Sequence, residues 1–423
     1  KAAGLEICFF DFSADCYRKV QLAEKEREMK LTEETPFFFI YSVWTKNGEY
    51  REQVKRLVTD YDNYISLKLA GDDAYLSEKM VGYPAELDEV YAESFEEQKK
   101  EWFSCVGDGI QECRNTWEHK KWNITDFPEF ELAITIDRPE LYYDFLQKDW
   151  TRFCHDYWKN NFLEHHTLSK KRVTRIYIGN QFCHNLFPRK KLLFQVLEKA
   201  LENNLAVTLA FSYIRNHLLE EIDELLQELE VWCQSREKEA GKDQEEIIVN
   251  DWAMPILLQG KPHLKPVLGV LLNKRRKDVR LPYKHGIGNH VDSLAENNLN
   301  CGFYQDYLKN TFDIQRFEFE SCEYKVTIPD GHHSLHLPFF QTNTSQYCTL
   351  YAVCRYGDRG KQKLPENCPR YCNKKVFLYP KHLKMVGRYN SLFGYDEKIL
   401  WDEKQLQDYL EQGIDRIVVN VSL

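Results

Sequence analysis

The sequence predicts an α/β chain, with a (β/α)8 TIM-like barrel over 171–423 and a separate N-terminal α+β domain over 1–165. Three observations carry that prediction. After about residue 171, short apolar runs alternate with amphipathic helical stretches, the pattern of βαβ units whose parallel strands need crossover connections. About 250 residues holding roughly eight such runs is the size of one barrel. The charge divides at the same place: residues 1–170 hold 22 basic and 34 acidic groups, net −12, against 35 and 32, net +3, in 171–423.

In the first region the apolar runs 5–10, 36–42 and 130–136 read as strands, and six of the nine Trp lie in that region. The mixed-charge stretch 92–101 reads as a solvated helix face. The boundary is expected in the polar stretch 164–172. Beyond it, 175–178 is the first barrel run, and 189–202 follows with Leu192, Leu193, Val196, Leu197 and Leu201 at helical spacing. Run 206–211 precedes a Leu-rich helix over 218–233 and a hydrophilic break over 235–245. Further strands are expected at 246–249, 266–272, 314–319, 324–328, 376–379 and 416–421. An open doubly wound sheet is the alternative, but the chain has no Gly-rich dinucleotide fingerprint or phosphate loop to support it.

Composition narrows the function. With 423 residues, 43% hydrophobic and 29% charged, the chain has ample core without disulfide or metal staples. A net charge of −9 argues against a general nucleic-acid or anionic-membrane binder, since both need a basic surface. No apolar run approaches the roughly 18 residues of a transmembrane segment. The chain starts at Lys1 with no initiator Met and no leader pattern, which reads as a processed or internal fragment without a visible secretion signal, and a cytoplasmic location is expected.

Thirteen cysteines, an odd number, fit metal ligation, catalysis or plain burial better than an extracellular disulfide framework. Cys183 follows the first barrel run, where a barrel places its chemistry. Cys348, Cys354, Cys368 and Cys372 lie within 25 residues, with thirteen residues between Cys354 and Cys368 and three between Cys368 and Cys372. Such thiols can converge on one centre as tetrahedral ligation requires. Structural zinc prefers two close pairs, a [4Fe-4S] cluster accepts irregular spacing and a distant fourth ligand, and buried thiols remain the third alternative.

The strings RIYIGNQFC at Cys183 and CTLYAVCRYGDRGKQKLPENCPRYC at 348–372 resemble the peptidase U32 (collagenase-like) family, most closely its ubiquinone-biosynthesis members acting in oxygen-independent hydroxylation. The resemblance covers about 171–423, including EIIVNDWAMPILL and LGVLLNKRRKDVR, and does not reach the first 170 residues. It implies a [4Fe-4S] cluster on Cys183, Cys354, Cys368 and Cys372, with Cys348 as the alternative to one of them. It also implies insertion of oxygen into an aromatic or pyrimidine ring without molecular oxygen, in some relatives from prephenate, and action as a heterodimer of related subunits. Proteolysis is not expected, because neither a Gly-x-Ser-x-Gly elbow nor a His-Glu-x-x-His motif is present.

Asn250, Asp251 and Trp252 close the third barrel run. Asp251 is a candidate general base or a helix cap, Asn250 its neighbour on the active face, and Trp252 a platform for a ring. The basic run 273–280 is a candidate clamp for an anionic co-substrate, with Lys274 and Arg280 first, or a solvated loop. Glu318 and Glu320 share one strand face. On hydrophobicity, Phe317 and Phe319 are expected to point into the barrel and the glutamates out of it. His332 and His336 are candidate metal ligands or proton donors, or merely polar loop residues.

Three classes of function follow. The first is an iron-sulfur enzyme or enzyme subunit acting on a small aromatic substrate or a ring displayed on a carrier. The second is a non-catalytic partner or scaffold whose metal only stabilises 348–372. The third is RNA base modification, which other U32 relatives carry out and which the acidic first region opposes.

Overall fold

The computed structural model describes 6–11, 16–21 and 39–44 by their backbone, and 127–161, 163–240, 244–275, 277, 295–357, 361, 363–365, 367–373, 376–378, 385–396 and 398–420, of which 237–240 and 377–378 by their backbone. The chain divides into two compact units, one of 1–90 with 280–291 and one of 91–279 with 292–423. In the first, β1 (Glu6–Asp11) lies between β2 (Cys16–Gln21) and β3 (Phe39–Trp44), antiparallel to both.

The second unit is built on eight parallel strands: β4 (Glu131–Ile136), β5 (Arg175–Gly179), β6 (Ala206–Ala210), β7 (Glu245–Val249), β8 (Leu264–Leu268), β9 (Glu318–Glu320), β10 (His333–Leu337) and β15 (Ile414–Val419). Their order is β8-β7-β6-β5-β4-β15-β10-β9. A parallel bridge between Leu268 and Phe317, with Leu268 N donating to Arg316 O at 3.0 Å, joins β8 to β9 and closes the barrel. Helices α1 (Pro139–Gln147), α2 (Trp150–Asn160), α3 (Lys190–Glu202), α4 (Leu219–Ala240), α5 (Ala253–Leu257) and α6 (Gly302–Phe312) fill the crossovers from β4 to β9. Between β10 and β15 the chain inserts β11 (Phe339–Thr344), α7 (Thr349–Tyr356), β12 (Phe377–Leu378), β13 (Met385–Arg388), β14 (Ser391–Tyr395) and α8 (Glu403–Glu411). Strands β11, β14, β13 and β12 form a separate antiparallel sheet in that order.

The (β/α)8 class agrees with the sequence, but three assignments change. The barrel begins at β4, ahead of the expected 165/171 boundary, so α1 and α2 also belong to this unit; the polar stretch 164–172 only links α2 to β5. Residues 324–328 form no strand, and 377–378 pair in the inserted sheet rather than the barrel. The missing eighth strand is β10, whose sequence HSLHL reads as polar loop.

The alternation of β10 has a physical cause. Strand residues point alternately to the two faces of a sheet, and here both faces are buried. Leu335 and Leu337 share the helix-facing side with residues such as Ile134, Ile176, Leu209 and Ile417, all fully buried. The interior side is more polar. Its middle layer packs Ala133, Tyr177, Ala210, Ile248, Val267 and Val418, and the N-terminal layer is an ion network of Glu131, Arg175, Glu246 and Arg416. Among the described residues, no helix is long and apolar enough to cross a membrane.

Asp396, just beyond β14, is fully buried. Its Oδ1 accepts from Ile399 N and its Oδ2 from Gln405 Nε2, both at 3.2 Å, yet burial raises its pKa to about 7. The folded chain therefore holds this proton more tightly than the unfolded chain. Stability from this group is full below about pH 4 and is lost as pH rises towards 7, by at most about 4 kcal/mol. Asp396→Asn is expected to flatten that fall, read as urea midpoints at acid and neutral pH.

Candidate functional site

The C-terminal ends of the barrel strands surround a small cavity of about 40 Å3, lined among others by Tyr177, Asn180, Gln181, Glu320, His336 and Tyr389. Glu318 and Glu320 both point inward and are 0% and 2% exposed, opposite to the orientation expected from hydrophobicity. Glu318 accepts from Tyr177 Oη at 3.1 Å and pairs with His336 Nε2. Glu320 pairs with Lys277 Nζ at 2.7 Å, accepts from Gln341 N at 2.7 Å, and lies near the buried Arg275. Burial outweighs Glu320 in setting the Lys277 pKa, which is lowered. Carboxylates with cationic and hydrogen-bonding partners are tolerated inside a barrel.

The loop after β5 is set by Gly179 and Asn180. Gly179 has φ +109°, and a Cβ there would lie 2.5 Å from Ala210 O. Asn180 Oδ1 accepts from Phe182 N at 2.9 Å and Cys183 N at 2.8 Å, turning Cys183 out of the strand. Cys183 thereby reaches a second cavity, about 20 Å3, that it shares with Cys348, Cys368 and Cys372. Cys354, on α7, is not in that lining; Cys348, six residues earlier, is. Cys348 Sγ accepts from Tyr351 N at 3.3 Å at the start of α7 and donates to Tyr389 O at 2.9 Å. Arg388 Nη2 donates to Cys372 O at 3.0 Å, anchoring the Cys368–Cys372 loop.

Burial pushes the Cys183 thiol up to about 11 and Cys372 to about 12, and it raises Cys348 too. In each the neighbouring sulfurs add to the rise, so thiolates in this cavity repel one another. Asn390 also lines it: Nδ2 donates to Ser345 O at 2.6 Å, while the buried Oδ1 has no hydrogen-bond partner among the described residues. Four soft sulfur donors suit zinc or an iron-sulfur cluster in number and type. Among the described residues, however, no three His, Cys, Asp or Glu side chains are gathered closely enough to hold a metal ion.

No protein-family model, curated protein or solved structure matches this chain.

Asn250, Asp251, Trp252 and Lys274 lie along an open groove of about 610 Å3 outside the mouth, lined also by Lys277 and the 341–346 segment. Asp251 is a cap: Oδ1 accepts from Ala253 N at 3.0 Å and Met254 N at 3.1 Å at the start of α5, and Oδ2 accepts from Ile214 N. With three backbone donors on its carboxylate, it is poorly placed for proton transfer. Asn250 is a latch, donating to Phe211 O at 2.7 Å and Gln181 Oε1 at 3.3 Å and accepting from Leu271 N at 3.1 Å. Trp252 is 40% exposed and meets Tyr304, Tyr307 and Phe312. Lys274 Nζ donates to Leu271 O at 2.6 Å on an exposed edge. Arg280 lies outside the described residues. His332 and His336 sit at opposite ends of β10; His332 pairs with Asp415 at 2.9 Å, so the two do not form a metal pair.

Sequence reasoning passed over Tyr177 and Lys277. Tyr177 looks like an ordinary core aromatic until its strand partner residues are known, and Lys277 looks like one of five charges in a surface run.

Asn250 makes a close approach to Gly269 necessary: a Cβ on Gly269 would overlap the Asn250 amide and lie 2.7 Å from Ile248 Cγ2. Gly269→Ala is expected to cost about 1–3 kcal/mol, as overpacking does. Chemical denaturation measures this.

Proposed function

We propose that this chain is an iron-sulfur enzyme, or the subunit of one, that modifies a ring substrate at the barrel mouth, in the manner of the oxygen-independent hydroxylases it resembles. The observation that carries this reading is the convergence of Cys183, Cys348, Cys368 and Cys372 from separate segments on one cavity, whose wall residue Tyr389 also lines the mouth. Cys348 takes the place that the sequence assigned to Cys354.

When bound, a [4Fe-4S] cluster on four thiolates would supply one-electron chemistry. The chain's own residues do the rest. The outer groove accommodates a ring, with Trp252 at one side as an aromatic surface and the Lys274 ammonium available to a carboxylate. Asn250 and Gln181 fix the floor between groove and mouth. Tyr389, flanked by the buried Arg388 whose guanidinium lies 5.2 Å from its ring centre, separates the mouth from the thiols. The narrow mouth excludes bulk water from the reacting end.

The small volume of the thiol cavity favours one alternative, a single zinc ion with a structural role. Metal and sulfide analysis of anaerobically purified protein separates the two. The expected result is about four irons and about four sulfides per chain; one zinc without sulfide supports the alternative and overturns the cluster.

A further inference from the structure

The most ordered chemistry in the barrel mouth is a histidine held by a carboxylate. His336 is 3% exposed, and its Nε2 pairs with Glu318, which is fully buried. Glu318 is itself fixed by Tyr177 Oη at 3.1 Å, and Arg416 Nη1 donates to that hydroxyl at 3.2 Å. Tyr177 also meets the imidazole edge-on, with ring centres 5.5 Å apart. Gln181 Nε2 approaches the same His336 nitrogen at 3.5 Å. Every one of these contacts orients the ring or engages Nε2. Nδ1 makes no hydrogen bond to a described residue, and the ring lines the 40 Å3 mouth cavity.

This arrangement separates the two nitrogens by role. A carboxylate on Nε2 favours the tautomer with the proton there, which leaves a lone pair on Nδ1. The same carboxylate then stabilises the imidazolium once Nδ1 accepts a proton.

We infer that His336 is the acid–base residue of the barrel mouth, acting through Nδ1 on a hydroxyl borne by the substrate, with Glu318 as its positioning residue. The inner cavity admits only the reacting group, and the body of the substrate lies in the outer groove, which shares Val270 with the mouth. In the step, the substrate O–H bond breaks, its proton forms the Nδ1–H bond, and the electron pair stays on oxygen. The imidazolium is balanced by Glu318, and the same proton returns to the product. The inference rests on the mouth being the substrate site and not on which metal the thiols hold.

The test uses the full chain with 15N-labelled histidine, read across a pH series. His336→Gln identifies the signal. Phenol is the probe, a ring with one hydroxyl, and toluene is the control. The expected result is a protonated Nε2, an unprotonated Nδ1, and a saturable shift of Nδ1 with phenol but not with toluene. Glu318→Gln, nearly isosteric, is expected to remove the tautomer preference and weaken the phenol response roughly tenfold, as loss of one hydrogen bond to a charged group does. A proton resident on Nδ1, equal responses to phenol and toluene, or an unaltered Glu318→Gln protein overturns the proposal. Metal and sulfide in the same sample are measured separately. An intact phenol response in metal-free protein therefore overturns the cluster alone, and a metal-loaded protein without the response overturns the role of His336 alone.

Discussion

Replacing Cys368 and Cys372 together by alanine is expected to remove all bound metal from anaerobically purified protein, while Cys354→Ala leaves the metal content unchanged. The two results test ligand identity from opposite sides. Cys368 and Cys372 line the same cavity as Cys183 and Cys348, whereas Cys354 is carried on the body of α7 and does not line it. Half of a four-thiolate set cannot hold an iron-sulfur centre, since such centres are bound through all four sulfurs. Cys348→Ala is expected to behave like the double variant, because its sulfur stands at the start of α7 facing the other three. Metal and acid-labile sulfide measured on each variant, with circular dichroism to check folding, decide the matter. Full loss in Cys354→Ala with retention in Cys348→Ala would restore the ligand set inferred from the sequence.

The second large effect lies at the other end of the barrel. Arg416 Nη1 and Nη2 donate to Glu246 at 2.6 and 3.0 Å, and Arg416 Nε donates to Glu131 at 2.6 Å. Arg175 bridges the same two carboxylates at 3.3 and 2.9 Å, and Thr208 Oγ1 donates to Glu246 at 2.7 Å. Burial of Glu246 works against its charge, but Arg175 and Arg416 prevail and lower its pKa to about 2. Removing that carboxylate leaves the buried Arg416 and the part-buried Arg175 undercompensated, so Glu246→Gln is expected to cost about 3–5 kcal/mol.

The pH dependence has a definite sign. A carboxyl group whose folded pKa is depressed adds stability above its unfolded value, about 4.5, and loses it as pH falls towards 2. The wild type should therefore lose about 3 kcal/mol from this group between pH 5 and pH 2, and Glu246→Gln should not. Urea midpoints across that range measure both. An equal acid loss in the variant would mean that another carboxylate governs acid unfolding.

The strands most legible in the sequence are those with apolar residues on both faces or a helical stretch beside them. Strands β5, β6, β7 and β15 fall on expected runs because their β-branched and aliphatic residues are hard to place elsewhere. The β4 run was legible too, but the charge boundary assigned it to another domain. Net charge describes surfaces, and the buried strand 131–136 carries little of it. Strand β10 was hidden because Ser334 and His336 occupy the interior face of the barrel, and its polarity makes it resemble a loop.

The residue types of the site were visible, but their grouping was not. Cysteine spacing singled out 348–372 as a candidate centre, and the position of Cys183 after its strand linked it to the same face. Spacing could not choose between Cys348 and Cys354. They are six residues apart, and which one faces the cavity depends on where α7 begins. Asp251 illustrates the reverse problem: the same residue after a strand can be a base or a cap, and only its three backbone donors make it a cap.

By itself, the sequence determined that this chain folds through alternating strands and helices into a parallel barrel, and it singled out the closely spaced cysteines as candidates for one site. Both follow from local order, since strand period, helix period and short Cys spacings are properties of neighbouring residues. The tertiary structure decided where the barrel begins, that Glu318 and Glu320 point inward, and that His336 meets Glu318 while Cys348 meets Cys183. Those pairings join residues 18 and 165 positions apart across adjoining strands or an inserted segment. No local pattern encodes them, because they arise only when closure of the barrel brings separate strand ends to one mouth.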